Sequence, residues 1–351
     1  MLAPSEYDPD AVRGYLDTAT YALPPRSVVA AVERALAEWR ERHDWLRWEE
    51  DAERCRALFA SIVGAEAEDI GVTTAVSVSA GLVAASLPAG AGDNIVVHEG
   101  EFASNLFPWV ELERRGVEVR ALPLEELGEA IDERTALVAV SSVQSADGAA
   151  ADVARLTRRG ARVFVDATHS VGALPTNLEG IDYLACSAYK WIPAPRGLSF
   201  LYVRRERLHG IQPWLAGWKA RADWRGRYYG LPRDLSADAS RLDTSLAWLV
   251  VSGAVPALEL IVDVGVERIA RHDLALARRF ASELGLPEPA APIVRVTVGD
   301  ADAAVERLRA RGVTCAVRAG AVRASFHLYN DEADVDLALD ALVPTLAGAR
   351  G

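Results

Sequence analysis

The chain has 351 residues, half of them hydrophobic, and a formal net charge of −12. This length favours one large domain with a smaller companion. The negative charge would repel a phosphate backbone, so we expect no nucleic-acid partner. No apolar run approaches the roughly 18 residues that a membrane span needs, and the N-terminal residues lack a signal-peptide pattern. We therefore expect no membrane partner.

The three cysteines, Cys55, Cys186 and Cys315, are widely spaced and include no CxxC pair. This spacing argues against a zinc site and against a disulfide framework. It favours a protein of the reducing cytoplasm.

The N-terminal two thirds of the chain alternates between helical and strand patterns. After the loop GYLDTATYALPP, the pattern predicts a helix over 25–48 and a second helix over 49–64. From Ile70, short Val/Ile/Leu-rich strands alternate with helices, as in a mostly parallel sheet that is covered on both faces. The sequence therefore predicts an α/β fold with a doubly wound sheet, whose ligands bind at the carboxyl ends of the strands.

The C-terminal third has a different pattern of polar and apolar residues. Residues 214–240 are polar, aromatic and aperiodic, which predicts a long surface excursion. A long helix is predicted from Trp248 to Arg279, and the segments after it follow a β-α-β-β-α order. We expect a large domain over 1–250, including the N-terminal segment, and a smaller α+β domain over 251–351.

Two segments contain residues that suit cofactor chemistry. In VFVDATHSVG, Asp166 ends an apolar strand, and in LACSAYKWIPAPRG, Lys190 follows the next one. An acid so placed can keep a pyridine nitrogen protonated, and a buried lysine can form an imine with an aldehyde. Together they are what pyridoxal phosphate needs to act as an electron sink. Taken alone, Asp166 is equally compatible with a helix cap and Lys190 with a solvated surface.

The combination of DATHSVG, SAYKW-PRG and RASFHLYN resembles the class V aminotransferase family of fold-type I pyridoxal-phosphate enzymes. That family includes cysteine desulfurases, selenocysteine lyases, kynureninases and isopenicillin-N epimerases. The resemblance runs from YLDTATYALPP to VRASFHLYNDEADVD. It implies a fold-type I pyridoxal-phosphate-dependent transferase fold, the pyridoxal 5′-phosphate cofactor, and a homodimer with a shared active site.

The resemblance gives catalytic roles to residues around the cofactor ring. Lys190 would form the imine and move the proton at Cα, and Asp166 would face the pyridine nitrogen. Ala167 would lie under the ring. His169 and Gln144 would meet the phenolic oxygen, although each is also compatible with an ordinary strand-end position.

The resemblance also predicts a phosphate cup, because VTTAVSVSAG is similar to the family's phosphate loop. Backbone N–H groups at a helix N-terminus favour such an anion. The residues predicted for this cup are Ala75, Val76, Ser77, Ser187 and Tyr189. In the family a Thr or Ser from the partner subunit completes the cup, and both Thr244 and Ser245 fit this role.

Further residues are assigned to the ring face and to the substrate. Phe102 stands where the family stacks a side chain on the cofactor ring, and Arg323 matches the arginine that takes the substrate α-carboxylate. Tyr21 and Trp191 are candidates for the substrate pocket by position. Arg196 is either a second anion contact or a loop residue.

These residues support any reaction that begins with deprotonation at Cα of an amino acid. We favour a C–S lyase that acts by β-elimination on a cysteine-type or S-conjugated substrate. Sulfur-transferring desulfurases carry a reactive cysteine on a loop before the substrate arginine, whereas Cys315 falls in an apolar strand, which indicates a buried thiol. The alternatives are an aminotransferase, an epimerase and a non-catalytic relative. The aromatic residues of 214–229 would shape either a pocket or a dimer surface.

Overall fold

A computed structural model describes residues 1–41, 44–157, 160–231 and 234–347. The strands in these residues are β1 (Ile70–Thr73), β2 (Asn94–His98), β3 (Glu118–Leu122), β4 (Thr135–Ser141), β5 (Arg162–Asp166), β6 (Tyr183–Ser187), β7 (Ser199–Val203), β8 (Ile293–Val296), β9 (Ala316–Arg318) and β10 (Ala321–Ser325). The α-helices in these residues are α1 (Pro9–Val12), α2 (Arg26–Arg40), α3 (Leu46–Val63), α4 (Val76–Ser86), α5 (Ala103–Val110), α6 (Val153–Thr157), α7 (Arg205–Leu208), α8 (Trp248–Val264), α9 (Val266–Glu283), α10 (Ala301–Ala310) and α11 (Glu332–Ala347).

The first seven strands form one sheet in the order β1-β7-β6-β5-β4-β2-β3. Neighbouring strands from β6 to β3 pair in parallel, and β7 pairs antiparallel with both β6 and β1. Because β7 alone is reversed, the other six strands end at the same edge of the sheet. The predicted mostly parallel α/β architecture is confirmed.

Both faces of this sheet are buried except at the edge strand β3, which explains the apolar runs in the other strands. In β4, Val138 and Val140 pack in one apolar cluster with residues of α2, α3 and α8. Leu137 and Ala139 point to the opposite face and pack with residues of α4 and α5. Strands covered on both sides lose the alternation of polar and apolar residues.

The predicted boundary between the first two helices is wrong by several residues. Helix α2 ends at Arg40 and α3 begins at Leu46, whereas we expected one helix over 25–48. Asp44 Oδ1 accepts a hydrogen bond from the Leu46 N–H at 3.0 Å. An aspartate that caps a backbone donor in this way favours a helix start. The predicted end of the second helix at Gly64 is confirmed.

The single helix predicted from Trp248 to Arg279 is also wrong. Gly265 has a φ of +84°, and the axes of α8 and α9 differ by 83°. A residue in this left-handed region ends a helix, and glycine adopts it without steric cost. Among the described residues, no single helix is long and apolar enough to cross a membrane, and only the bent pair of α8 and α9 meets those two criteria jointly.

Strands β8, β9 and β10 form a separate antiparallel sheet in the order β8-β10-β9, in the predicted β-α-β-β-α order. The N-terminal segment joins this small sheet through isolated bridges from Tyr15 to Thr314 and from Asp17 to Ser325. Leu16, between them, is buried in the apolar core of the small sheet. The division at residue 250 remains a prediction, but residues 14–17 pack with the C-terminal module.

Replacement of Phe59 by alanine tests the packing between α3 and the large sheet. Phe59 is fully buried, and its ring stacks on Phe200 at 4.2 Å between centroids. We expect Phe59→Ala to lower the free energy of unfolding by about 3–5 kcal/mol, because it leaves a cavity in the core. Urea denaturation followed by circular dichroism measures this change.

Phe107→Ala is the matched control, since the Phe107 side chain is 65% exposed. Its expected effect is within about 0.5 kcal/mol. Equal effects of the two substitutions would contradict the packing described for Phe59.

Candidate active site

The carboxyl ends of β1, β2, β4, β5 and β6 meet at one edge of the large sheet. Asp166 is the last residue of β5, and Lys190 follows the end of β6 by three residues. The two strands are parallel neighbours, and Asp166 pairs in register with Ala185. The topology therefore brings the predicted acid and the predicted lysine to the same place.

A cavity of about 180 Å³ opens at this edge. Its lining includes most of the residues predicted for the cofactor, namely Ala75, Val76, Ser77, Phe102, Asp166, His169, Ser187, Tyr189 and Lys190, and also Arg196. Four further lining residues were not predicted from the sequence: Thr74, Ser104, Thr168 and Gly197. Most of these lie inside or beside the quoted motifs, so proximity to a motif was the signal that could have found them.

Lys190 is 5% exposed, and its Nζ lies 2.8 Å from His169 Nε2. Burial lowers the pKa of Lys190 to about 7, which Asp166 opposes and the charge of Arg323 reinforces. The chain contains one other lysine, Lys219, which is buried in an ion pair with Glu49 at 2.7 Å. Lys190 is therefore the lysine whose amine is available to an aldehyde in the cavity.

Asp166 is buried and has no ion-pair partner within 4.0 Å among the described residues. Its Oδ1 accepts a hydrogen bond from the Thr168 N–H at 2.9 Å. Burial raises the pKa of Asp166 to about 6, although hydrogen bonds from Thr168 oppose this shift. A cationic N–H group in the cavity would stabilise this carboxylate, and a protonated pyridine nitrogen is such a group.

His169 contributes a neutral ring beside the lysine. Its Nε2 faces both Lys190 Nζ and the Ala19 carbonyl oxygen, the latter at 3.4 Å. Burial lowers the pKa of His169 well below its usual value, and the charge of Lys190 adds to this effect. His169 is therefore a hydrogen-bonding group and not a second cation.

The predicted ring-stacking residue, Phe102, is 46% exposed, and its ring centroid lies 5.8 Å from Lys190 Nζ. The backbone at Phe102 is held by Glu101, a buried residue that was not predicted from the sequence. Glu101 accepts hydrogen bonds from the Phe102 N–H at 2.9 Å and from the N–H of Ser141 at 2.7 Å. Because Ser141 pairs with Asp166 across the sheet, Glu101 links the aromatic ring to the acid.

The part of the cavity that is lined by the start of α4 is suited to an anion. Ala75, the residue before this helix, supplies no side-chain cap. The first N–H groups of a helix have no intrahelical partner, and the helix dipole favours negative charge at this end. Arg196 adds a cation, which lies 5.2 Å from the ring centroid of Tyr189.

Gly172, in the motif DATHSVG, supports the site through close packing. A Cβ atom at this position would lie 2.9 Å from the carbonyl oxygen of Trp191, and its φ is +87°. Only glycine satisfies both constraints without strain. The loop that follows Asp166 is thereby packed on the backbone that follows Lys190.

Four predicted residues lie near the cavity but do not line it. Gln144 is buried and donates from Nε2 to the Ser141 carbonyl oxygen at 3.1 Å. Ala167 is buried under the start of the loop that carries His169. Trp191 is fully buried and donates from Nε1 to the Phe326 carbonyl oxygen at 3.0 Å, so it joins the lysine loop to the small sheet.

Tyr21, the fourth, is 51% exposed and lines a separate groove of about 500 Å³. This apolar groove also includes Val28 and Val32 of α2. It meets the cavity at two residues that belong to both, Tyr189 and Arg196. The substrate roles of Tyr21 and Trp191 remain predictions.

Arg323 is buried on β10, does not itself line the cavity, and is anchored on several sides. Its Nη2 lies 3.1 Å from Asp17 Oδ1 and 2.7 Å from Thr20 Oγ1, and its Nη1 donates to the Ser145 carbonyl oxygen at 2.7 Å. Its Nε is buried and has no hydrogen-bond partner among the described residues. This remaining donor suits a carboxylate.

Neither candidate for the partner's contribution to the phosphate cup lines the cavity of this chain. The Thr244 N–H donates to the Val72 carbonyl oxygen at 3.2 Å, while Ser245 is exposed. The preceding residue, Asp243, forms a buried ion pair with Arg56 at 2.6 Å. This ion pair fixes the segment against the end of β1.

In its described residues, 214–231 and 234–240, the aromatic excursion has no α-helix and no named strand, in line with the aperiodic pattern. It contains a 3₁₀ turn at Trp218–Ala220, an isolated bridge from Arg221 to Leu235, and the start of a second 3₁₀ turn at Ala239–Leu242. Trp218, Trp224 and Tyr228 all pack on Trp45, which precedes α3. Trp45 also stacks on Trp248 at 5.8 Å. The segment therefore forms an aromatic cluster with the starts of α3 and α8, and none of its aromatic residues lines the cavity.

Comparison with known proteins agrees with this geometry. The family model for class V aminotransferases matches residues 14–338. An uncharacterized aminotransferase of Bacillus subtilis, YcbU, is 30% identical over 318 residues, which cover 85% of this chain and 84% of YcbU. A cysteine desulfurase of Dickeya dadantii is 30% identical over 77% of this chain and 71% of its own.

Solved structures show the same fold. The apo cysteine desulfurase of Thermococcus onnurineus has a TM-score of 0.84 at 25% identity, over 96% of both chains. The complex of the cystine C–S lyase C-DES with its product cysteine persulfide has a TM-score of 0.86, over 95% of this chain and 99% of its own. At 20% identity, the second likeness shows the fold alone.

The sheet and the lysine and aspartate at its carboxyl edge define a fold-type I enzyme that depends on pyridoxal phosphate. The chain belongs to the class V aminotransferase family.

The residues present fit this cofactor. The uncapped start of α4 suits its phosphate, the unpaired Asp166 suits its ring nitrogen, and the low pKa of Lys190 suits its aldehyde. Bound pyridoxal phosphate supplies an electron sink for the pair that is left when a bond at Cα breaks.

The lowered pKa of Lys190 predicts its reactivity in protein freed of the cofactor. We expect the rate of Lys190 acylation by acetic anhydride to rise with pH and level off above about 7, because only the neutral amine reacts. Mass spectrometry of the Lys190 peptide measures this rate.

Asp166→Asn tests which groups set the pKa of Lys190. The Asp166 carboxylate raises the pKa of Lys190, so its removal should move the midpoint to lower pH. A wild-type midpoint near the ordinary lysine value of about 10.4 would contradict the burial argument.

Proposed function

We propose that this enzyme is a C–S lyase. It removes the proton from Cα of a cysteine-type or S-conjugated amino acid and expels the thiol from Cβ. With one water, the products are the thiol, pyruvate and ammonia. The burial of all three thiols is the observation that favours this reaction over sulfur transfer through an enzyme cysteine.

In this proposal Lys190 carries the proton. An amine whose pKa is about 7 is partly neutral near neutral pH, so it can accept the Cα proton and then donate it to the departing sulfur. His169, 2.8 Å from Lys190 Nζ, orients the amine. Arg323 holds the substrate carboxylate and thereby sets which bond at Cα is perpendicular to the plane of the cofactor ring.

The cysteines support the exclusion of a persulfide-forming desulfurase. Cys55, Cys186 and Cys315 are all buried, and burial raises the pKa of each thiol. A nucleophilic cysteine needs a lowered pKa and access to its substrate. Cys315 also lies directly before β9, whose hairpin with β10 is too short to form a mobile loop.

An aminotransferase is the second candidate. It is supported by YcbU of Bacillus subtilis, which is described as an aminotransferase and matches 85% of this chain. Both reactions begin with loss of the Cα proton, and they differ in whether Cβ carries a leaving group. The choice therefore depends on the substrate.

The test is incubation of the loaded enzyme with S-methyl-L-cysteine. We expect pyruvate, ammonia and methanethiol in equal amounts. The rate of their formation should fall by about 10³-fold or more in Lys190→Ala. Cys315→Ser should retain activity within about twofold, since its buried thiol takes no part.

The result also separates the alternatives. Conversion of the cofactor to its amine form without pyruvate would favour the aminotransferase. Formation of alanine in place of pyruvate from L-cysteine, lost in Cys315→Ser while the fold and cofactor colour are retained, would favour a persulfide-forming enzyme.

We further propose that the enzyme is a homodimer whose partner subunit completes the phosphate cup through its equivalent of Thr244 or Ser245. An exposed apolar stripe on α2 supports this assembly: Val29, Leu36 and Trp39 are 43%, 44% and 65% exposed. Apolar surface of this kind is typical of protein–protein contacts. A reducing cytoplasm suits the three unpaired cysteines.

Light scattering tests the dimer. The wild type should have twice the chain mass of 37.8 kDa. The double variant Leu36→Glu, Trp39→Glu should be monomeric and bind the cofactor at least about 10-fold more weakly, because charges are placed in an apolar interface. Leu231→Glu, at an 81% exposed site away from α2, is the control. A monomeric wild type would contradict the proposal.

A further inference from the structure

The hairpin of β9 and β10 presents arginines on one face of the small sheet. In the register of the sheet, Arg323 lies opposite Arg295 of β8, and Arg318 lies opposite Ala321. Residues two apart in a strand share a face, so all three arginines project from the same side. The two residues that close the hairpin, Ala319 and Gly320, have φ of 45° and 71°. Such a tight turn fixes the position of Arg318.

Arg318 and Arg323 converge on one hydroxyl group. Thr20 Oγ1 accepts hydrogen bonds from Arg318 Nη2 at 3.0 Å and from Arg323 Nη2 at 2.7 Å. The same hydroxyl donates to Asp17 Oδ1 at 2.8 Å. One donated and two accepted bonds saturate a hydroxyl group, so Thr20 holds the two guanidinium groups side by side.

The charges around Thr20 do not balance. Asp17 forms an ion pair with Arg323 at 3.1 Å. Arg318 has no carboxylate partner in the part of the chain that the structure describes, and its other bond goes to the Val317 carbonyl oxygen at 2.8 Å. Arg295, the third arginine, contacts Thr297 and the Ala319 carbonyl oxygen. A half-buried guanidinium without an anion is unusual, because burial of an unpaired charge is costly.

This surplus charge lies beside the active site. The charges of both Arg318 and Arg323 reach Lys190 and lower its pKa. Thr20 also borders the apolar groove that meets the cavity at Tyr189. A substrate whose amino group faces Lys190 would therefore extend its side chain near Arg318.

We infer that Arg318 binds a second anionic group, carried on the side chain of the substrate. This inference rests on the proposed function, and it predicts that the preferred substrates are amino acids with a side-chain carboxylate or similar anion. Arg323 then takes the α-carboxylate and Arg318 the distal anion. The competing possibilities are that Arg318 assists Arg323 at the α-carboxylate, or that it only supports Thr20.

Two matched substrates test the inference: S-carboxymethyl-L-cysteine and its neutral isostere S-carbamoylmethyl-L-cysteine. We expect the wild type to prefer the anionic substrate in kcat/KM. Arg318→Gln should lower kcat/KM for the anionic substrate by about 10- to 100-fold, as expected for loss of a charged hydrogen bond. Its effect on the neutral substrate should be at least about 10-fold smaller.

Three variants complete the comparison. Arg318→Lys should restore part of the preference, because it keeps the charge. Arg295→Gln, on the same sheet face but without a contact to Thr20, should leave the preference unchanged. Arg323→Gln should lower kcat/KM for both substrates by similar factors. Equal losses for both substrates in Arg318→Gln, or no loss for either, would overturn the inference.

Equilibrium binding separates this inference from the proposed reaction. Calorimetry on the loaded enzyme should give tighter binding of succinate than of succinamate, and Arg318→Gln should remove the difference. If this preference holds while neither cysteine derivative yields pyruvate, the C–S lyase assignment fails and the second anion site stands. Equal binding of succinate and succinamate by the wild type would overturn the site itself.

Discussion

The active site depends on an amine and a carboxylate that are buried together at the edge of a parallel sheet. Lys190 and Asp166 are both at least 95% buried, and neither has an ion pair within 4.0 Å among the described residues. Burial moves their pKa values toward each other, to about 7 and about 6. Such a pair is unfavourable in the empty protein, and a cationic ring with an aldehyde and a phosphate stabilises it. The same desolvation that costs stability therefore prepares the site for its cofactor.

The surrounding structure holds this pair in place from several directions. Glu101 ties the aromatic ring above the cavity to the strand beside Asp166, and Gly172 lets the loop after Asp166 pack on the backbone after Lys190. Trp191 joins the lysine loop to the small sheet. These contacts come from different elements, so the geometry of the site depends on the packing of the two sheets against each other.

The N-terminal segment has a role that its position in the chain does not suggest. Residues 14–17 pair with strands of the small sheet, and Asp17 and Thr20 then contact the arginines of that sheet. The beginning and the end of the chain are thus joined around the Arg323 guanidinium group. The short hairpin that carries Arg318 directly follows the buried Cys315, and it places the Arg318 guanidinium group against Thr20.

The sequence by itself determined the parallel sheet, the cofactor and the central residues Asp166 and Lys190, because apolar runs and strand-end motifs are local signals. It also indicated the start of α4 as the phosphate site and the burial of Cys315. Only the tertiary structure decided the hydrogen bonds of Glu101 and the convergence of Arg318 and Arg323 on Thr20. These features join residues up to 303 positions apart in the chain. No local pattern records such contacts, because they arise only when the fold brings distant segments within hydrogen-bonding distance.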